Sequence, residues 1–188
     1  MKSMATYKEV RNQIKDGDIL LYKGKGIFTS GFVPTLVQWV TGSPYAHAGI
    51  AAWWNDRLMI IEAIGSGVIA NPISLSLERY KATVEWFQYR EEISDDVRRN
   101  MVITAQEDLG KGYAIWKTVW FAIKILFLQK FEERDERREE NKYFCSQFVA
   151  HVYSSAGLDL KKDRADGEIA PGDIAKSPVL VRKDILQE

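Results

Sequence analysis

The alternation of apolar and polar positions predicts a β-sheet in the first half of the chain. Residues 17–23 (GDILLYK) are typical of a strand entered from a Gly-Asp turn, and residues 83–90 (TVEWFQYR) alternate like a further strand. Two more strand-like runs, 45–54 and 57–64, are separated by Asn55-Asp56, a dipeptide suited to a hairpin turn. We therefore expect a small antiparallel sheet.

Helical spacing of apolar residues dominates the second half. Residues 143–158 (YFCSQFVAHVYSSAGL) carry apolar side chains along one stripe of an amphipathic helix, and Gly157 is a natural stop. Cys145 therefore lies in the first turn, where unpaired backbone N–H groups and the helix dipole favour a thiolate. Another helix is predicted between Ser94, a good N-cap, and Gly110. A polar tail closes the chain.

The segment between these helices has an unusual composition. Residues 114–131 are strongly apolar but interrupted by Lys117 and Lys124, whereas residues 130–142 are almost wholly charged. Because about 20 mostly apolar residues are needed to span a bilayer, we favour a helix packed on the domain or on a second protomer. An interfacial membrane helix and a bilayer span are the alternatives. The charged part is expected to continue as a solvated helix.

Length and charge limit the class of protein. At 188 residues, with 46% apolar residues, the chain suits a single domain over 1–188 with a sizeable core. Lys plus Arg equals Asp plus Glu at 26 each, so no overall field favours nucleic acid or an anionic membrane. The N-terminal residues show no apolar signal region, and a cytoplasmic location is therefore expected.

Metal, disulfide and nucleotide chemistry are disfavoured. The single cysteine excludes an internal disulfide, and one Cys with two His falls short of a zinc site, so we expect no metal and no cofactor. The loop GIFTSG at 26–31 has the glycine spacing of a phosphate-binding loop. It is followed by Phe32-Val33 rather than by Lys and Ser or Thr, so nucleotide binding is rejected.

A thiol nucleophile needs a base, and the base needs an acceptor that orients it. His47 lies in the run 45–54 and Glu62 in the run 57–64. A two-residue turn would place Glu62 opposite Gly49, with His47 at the diagonal position on the same face, about 7–8 Å away at the backbone. The hairpin therefore permits a contact between His47 and Glu62.

Each of these residues also has a simpler explanation. Glu62 would face solvent at a sheet edge, His47 would be a hydrogen-bonded structural histidine, and Cys145 would be a buried, inert thiol. Against the first explanation, Glu62 lies in an apolar run, where a buried carboxylate must be paired. The other histidine, His151, lies about 240° around the helix from Cys145 and is expected to point away from the thiol. Taken together, the three residues favour a cysteine-nucleophile enzyme.

Four sequence blocks carry a family resemblance. GDILLY, SPYAHAGIAAW, MIIEAI and YFCSQFV resemble the circularly permuted branch of the NlpC-like, papain-fold cysteine hydrolases, from about Gly17 to Gly157. Ordinary members have the nucleophile first, whereas here the order is His47, Glu62, Cys145. The resemblance implies an α+β, papain-like NlpC-type fold, circularly permuted, with a small antiparallel sheet packed against the nucleophile helix.

The resemblance also implies roles for individual residues. Cys145 would be the nucleophile, His47 the base, and Glu62 the group that orients the imidazole. Tyr113, in a Gly-x-x-Tyr-like segment, and Tyr45 would contact the substrate or the oxyanion. The implied reaction is hydrolysis of an amide bond, in a short cell-wall-type peptide, through an acyl-enzyme.

Other functions stay open. Permuted relatives resemble the lecithin:retinol acyltransferase group, which implies a lipid-directed thiol acyltransferase or lipase, and the apolar residues 115–131 support that alternative. The fold could also serve as a non-catalytic binding module. The 31 residues between Tyr113 and Cys145 form an insertion, at about 114–142, where ordinary members have a short connection. We expect it to shape substrate access, or to contact a membrane or a second protomer.

Overall fold

The structure is a computed structural model that describes residues 5–23, 43–79, 83–113, 142–161 and 169–187. The predicted insertion falls almost entirely on residues 114–141, which lie outside the described residues. The strands are β1 (Ala5–Thr6), β2 (Ile19–Lys23), β3 (Tyr45–Trp54), β4 (Arg57–Ile64), β5 (Gly67–Pro72), β6 (Thr83–Tyr89), β7 (Gly112–Tyr113), β8 (Lys142–Tyr143) and β9 (Leu180–Gln187). The helices are α1 (Tyr7–Val10), α2 (Ile73–Arg79), α3 (Asp95–Glu107), α4 (Cys145–Ser155) and α5 (Pro171–Ala175), with a 3-10 turn at Arg11–Gln13.

One sheet dominates the fold. Its seven strands follow the order β1-β9-β6-β2-β3-β4-β5, and all neighbours are antiparallel except the two-residue β1, which runs parallel to β9. The predicted antiparallel sheet in an α+β fold is therefore confirmed. Strand β9 comes from the polar tail and lies between β1 and β6. The sheet therefore contains more strands than the alternating sequence patterns predict.

The two faces of the sheet bury separate cores. Successive strand residues point to opposite faces, so Leu21 joins the core shared with α4, whereas Leu20 joins the core on the other face. Helix α4 packs against β3 and β4 through apolar residues that include Phe148 and Val152. Each such side chain contributes on the order of 1.5–3 kcal/mol by leaving water, and this burial fixes the position of the helix on the sheet.

The β3–β4 hairpin has the predicted register. Ile50 pairs with Ile61 and Trp53 pairs with Leu58, as a two-residue turn at Asn55-Asp56 requires. Asn55 has a φ of 52°, in the left-handed region that asparagine tolerates better than most residues. The turn therefore sets which residues of β3 and β4 face each other.

The ends of the insertion meet beside the cysteine helix. Tyr113 of β7 pairs in parallel with Tyr143 of β8, two residues before Cys145. The backbone around β7 is held by Val68, whose N–H donates to the Lys111 carbonyl at 2.8 Å. Gly67, with a φ of 115°, permits this approach, because a Cβ there would lie 2.6 Å from the same carbonyl oxygen. The two residues that flank the insertion, Tyr113 and Tyr143, are thus paired two residues before Cys145.

Helix α3 begins as predicted. The Ser94 hydroxyl accepts a hydrogen bond from the Val97 N–H at 3.4 Å and caps the helix, which ends at Glu107, slightly before the expected end near Gly110. The last residues before Gly110 form a turn that leads into β7.

Candidate active site

Cys145 is the first residue of α4 and is buried. The first hydrogen bond across this helix start runs from the Phe148 N–H to the Phe144 carbonyl, so the Cys145 N–H precedes the helical ladder. Peptide dipoles at such a terminus stabilise a negative charge. The thiol predicted to be the nucleophile therefore lies at the positive end of the helix dipole.

His47 and Glu62 form the contact that the hairpin register predicts. The His47 Nε2 atom lies 2.6 Å from a Glu62 carboxylate oxygen, and the two side chains are only 2% and 0% exposed. Burial makes such a pair mutually dependent, because either charge alone would be costly in the interior. The explanation that Glu62 faces solvent at a sheet edge does not fit this geometry.

Cys145 makes a hydrogen bond and a charge interaction with the same imidazole. Burial lowers the pKa of His47, but the charge and the hydrogen bond of Cys145, followed by those of Glu62, outweigh it and raise this pKa to about 10. The protonated form of the imidazole is thus stabilised from two sides, by Cys145 and by the Glu62 carboxylate.

A β-bulge lies next to His47. Tyr22 of β2 pairs with His47, whereas the next residue, Lys23, pairs with Tyr45, so that Ala46 is an extra residue in β3. Bulges redirect neighbouring side chains and occur often beside active sites. No local sequence pattern predicts this bulge, since its presence depends on pairing with a strand more than 20 positions away.

Two further side chains support the pair. The Tyr22 ring lies 5.3 Å from the His47 ring, and its hydroxyl shares a 2.8 Å hydrogen bond with Ser76. The Asn71 amide donates to the second Glu62 oxygen at 3.4 Å. Neither Tyr22 nor Asn71 was predicted from the sequence, where Tyr22 is one residue of the apolar run GDILLY and Asn71 lies in no distinguishing pattern.

The predicted contact residue Tyr45 has a defined partner. Its hydroxyl donates to Glu85 at 2.5 Å, and burial, then the hydrogen bond to Glu85 and its charge, raise the pKa of Tyr45. Glu85 also pairs with Lys23 at 2.6 Å and with Arg182 at 3.0 Å. A contact of Tyr45 with substrate or oxyanion stays a prediction.

Tyr113 and His151 are the other residues considered from the sequence. The Tyr113 side chain lies outside the described part of the structure, so its role also stays a prediction. His151 lies 3.5 Å from Asp108, near the end of α3, rather than at the imidazole of His47. Among the described residues, no group of three or more His, Cys, Asp or Glu side chains is arranged to hold a metal ion.

The arrangement has the parts of a nucleophilic site. A buried cysteine at a helix start contacts an imidazolium, and a buried carboxylate holds that imidazolium from the opposite side. A family model described as "Permuted papain-like amidase enzyme, YaeF/YiiX, C92 family" matches residues 13–121, more than half of the chain. The chain belongs to this family. The resemblance of the sequence to permuted papain-like enzymes is thereby confirmed, and the family is described as one of amidases.

The family match covers only part of the candidate site. It includes His47 and Glu62 but ends before Cys145. The position of the cysteine relative to the histidine therefore comes from the folded structure rather than from the matched segment. The NlpC-like relationship and the individual roles stay predictions.

A solved structure has a similar fold. It is described as the metalloprotein YiiX from Escherichia coli O157:H7; the match has a TM-score of 0.70 and 17% identity and covers 94% of this chain and 99% of that one. No curated protein matches the chain in sequence. Within the described ranges, no helix has both the length and the hydropathy to cross a bilayer, and residues 115–131 lie outside those ranges.

Proposed function

We propose that this member of the amidase family is a cysteine hydrolase in which Cys145 is the nucleophile, His47 the acid and base, and Glu62 the residue that orients the imidazole. The observation that carries the proposal is the His47 ring itself. It contacts the Cys145 sulfur and lies 2.6 Å from Glu62, with all three side chains buried. A structural histidine would need only one of these partners.

The chemistry follows from this geometry. The Cys145 thiolate attacks the amide carbon, and the resulting oxyanion accepts a hydrogen bond from the Cys145 N–H. When the C–N bond breaks, the imidazolium of His47 gives its proton to the leaving amine and a thioester remains. His47 then takes a proton from water as the water attacks the thioester, which releases a carboxylic acid and restores the thiolate–imidazolium pair.

We propose an amide in a short peptide of the cell-wall type as the substrate. The amidase character of the family supports an amide bond. The peptide part rests on the sequence resemblance to the NlpC-like hydrolases. The protonation state of His47 also suits an amide substrate. An amine leaving group must be protonated by a general acid, and the raised pKa of His47 keeps the imidazole protonated at neutral pH.

The test is hydrolysis of short cell-wall-type peptides, followed by mass spectrometry of both products. Cys145→Ala is expected to abolish cleavage, and His47→Gln to lower it by at least about 10³-fold. Arg99→Met serves as the control, since Arg99 lies on α3 and pairs with the exposed Asp96. Cleavage that survives in Cys145→Ala would disprove the nucleophile.

A lipid-directed acyltransferase or lipase is the second candidate, because residues 115–131 are strongly apolar and both ends of the insertion meet beside Cys145. Co-sedimentation with phospholipid vesicles, together with acyl transfer from phospholipid to Cys145, would favour it. Peptide cleavage without vesicle binding would remove it. A thiol that alkylates like free cysteine, near the ordinary pKa of about 8.5, would instead favour a non-catalytic module.

A further inference from the structure

A second buried carboxylate near the site, that of Glu85, forms ion pairs with two cationic side chains. It is 1% exposed and accepts from Lys23 at 2.6 Å, from Tyr45 at 2.5 Å and from Arg182 at 3.0 Å. We call these four residues the Glu85 cluster. Among the described residues, the buried carboxylate of Asp18 pairs with one arginine, Arg98.

The net charge of the Glu85 cluster is positive. Burial raises the pKa of Glu85, but the hydrogen bonds from Lys23 and Tyr45 and the charges of Lys23 and Arg182 lower it on balance, so the carboxylate stays ionised. Lys and Arg are charged at neutral pH. Two cations and one carboxylate leave an excess of one positive charge.

That charge remains within reach of solvent. The side chains of Lys23 and Arg182 are 29% and 45% exposed, although both contact a carboxylate that is almost fully buried. Each can therefore hold Glu85 and still present N–H donors to another group, since an ammonium carries three donors and a guanidinium five. A single carboxylate from outside would balance the cluster.

The cluster lies on the face of the sheet that carries the cysteine helix. Lys23 shares a face of β2 with Leu21, two positions earlier, and Leu21 belongs to the core shared with α4. Tyr45 packs against the same core, and its ring lies edge-on to Phe87 at 6.4 Å. The Glu85 cluster and α4 therefore occupy the same side.

The direction of α4 brings its first residue towards this end of the sheet. The Tyr153 hydroxyl donates to the Gly17 carbonyl at 2.7 Å, just before β2 begins, and its ring lies 6.3 Å from that of Tyr89, where β6 ends. Cys145 lies about 12 Å earlier along the helix axis. His47, which contacts Cys145, pairs with Tyr22, the residue before Lys23, so Cys145 lies near the Lys23 end of β2, where the Glu85 cluster also lies.

We propose that the Glu85 cluster is a substrate subsite that binds a carboxylate, with Lys23 and Arg182 as its cationic ligands and Tyr45 and Glu85 as the residues that hold them. This inference deepens the proposed function, on which it rests. The preferred substrate would be an amide that carries a free carboxylate near the scissile bond, as a short peptide does at its C-terminus.

The experiment compares two alkylating reagents of similar size on Cys145, which is the one thiol of the chain. In both reactions the thiolate sulfur displaces iodide, but iodoacetate carries a carboxylate and iodoacetamide does not. The ratio of the two rate constants cancels changes in the reactivity of the thiol itself. We expect this ratio to exceed that of glutathione by about three- to tenfold at low salt, and to fall towards it at about 1 M salt.

Two variants should move the ratio in opposite directions. Arg182→Met removes one cation and is expected to lower it about threefold, whereas Glu85→Gln removes the competing carboxylate and is expected to raise it by a similar factor. A misfolded protein would not show an increase. The control Arg99→Met removes a cation that pairs with the exposed Asp96 on α3, and should leave the ratio unchanged. Equal ratios in wild type, Arg182→Met and Glu85→Gln would overturn the proposal.

A binding measurement tests the subsite without any reaction. In Cys145→Ala, saturation-transfer NMR should show N-acetylalanine bound at least about threefold more tightly than its neutral amide, and Arg182→Met should remove the difference. Equal binding of the two compounds refutes the subsite, even if peptides are cleaved. A clear carboxylate preference in a protein that cleaves no amide would keep the subsite and reject the amidase.

Discussion

Two buried carboxylates, Asp18 just before β2 and Glu62 in β4, have different kinds of partner. Asp18 is 1% exposed and accepts from the Trp86 and Gln88 side chains at 2.8 Å each, and from Arg98 at 3.2 Å. Indole and amide N–H groups do not titrate, and arginine is not deprotonated in proteins. Asp18 therefore joins β2, β6 and α3, and its bonds do not depend on a reaction.

Glu62 is held by a partner that can change its protonation state. It is fully buried, and its short bond goes to the His47 imidazole, which also contacts Cys145. The weaker bond, from Asn71, is 3.4 Å long. The difference teaches that burial and hydrogen bonding alone do not mark a functional carboxylate. A titratable partner, itself linked to a nucleophile, is the distinguishing feature.

The largest effect is expected for Glu62→Gln, which keeps the size of the side chain and removes its charge. The protonated imidazole of His47 then loses the carboxylate that helps to stabilise it. We expect amide hydrolysis to fall by about 10³-fold or more, and iodoacetamide alkylation at pH 7 to fall by about 30-fold, towards that of an ordinary thiol. Intact-protein mass spectrometry measures the alkylation rate. Wild-type reactivity in this variant would contradict the role of Glu62.

The matched change at the other carboxylate, Asp18→Asn, should act on stability instead. Trp86 and Gln88 donate to one Asp18 oxygen and Arg98 to the other, so the NH2 group of an amide would face a donor in either orientation and leave at least one buried group unsatisfied. We expect the free energy of unfolding in urea to fall by about 1–3 kcal/mol. The alkylation rate of the folded fraction should stay unchanged. A loss of Cys145 reactivity without a loss of stability would show that Asp18 acts on the active site rather than on the stability of the fold.

Local sequence patterns were sufficient for the parts of the site that depend on one hairpin and one helix. Asn55-Asp56 fixed the register of β3 and β4, and the register brought His47 to Glu62. The apolar stripe after Tyr143 located Cys145 at a helix start. These features are set by neighbours in sequence, so periodicity and turn chemistry reveal them.

Other features depend on strands that meet only in the folded chain. Strand β9 has the sequence LVRKDILQ, in which the charged central residues conceal the alternation of a strand. The position of Arg182 in this strand is explained by its hydrogen bond to Glu85, which forms only in the folded chain. The contact of Tyr22 with Ser76 joins residues 54 positions apart. Tertiary pairing of this kind leaves no local pattern, and therefore the support of the site could not be predicted.

The next prediction concerns pH and uses the titratable partner directly. The pKa of His47 is raised from its ordinary value of 6.5 to about 10, so the folded state binds this proton more tightly than the unfolded state does. The resulting stabilisation is present in full below about pH 6.5 and is lost as the pH rises through about 10. Urea unfolding of wild type should therefore weaken over that interval more than unfolding of His47→Gln. Parallel pH profiles for the two proteins would contradict the raised pKa.

The smallest effect is expected for Asn71→Ala, which removes the second donor to Glu62. At 3.4 Å this bond is near the long limit for a hydrogen bond, and the carboxylate keeps its shorter bond to His47. We expect iodoacetamide alkylation at pH 7 to fall only about two- to fivefold, as the loss of one modest hydrogen bond implies. Asn100→Ala, at an exposed position of α3, is the control for the loss of an asparagine side chain. A decrease as large as that of Glu62→Gln would mean that Asn71, rather than His47, determines the position of the carboxylate. The titratable partner would then not be what distinguishes Glu62 from Asp18.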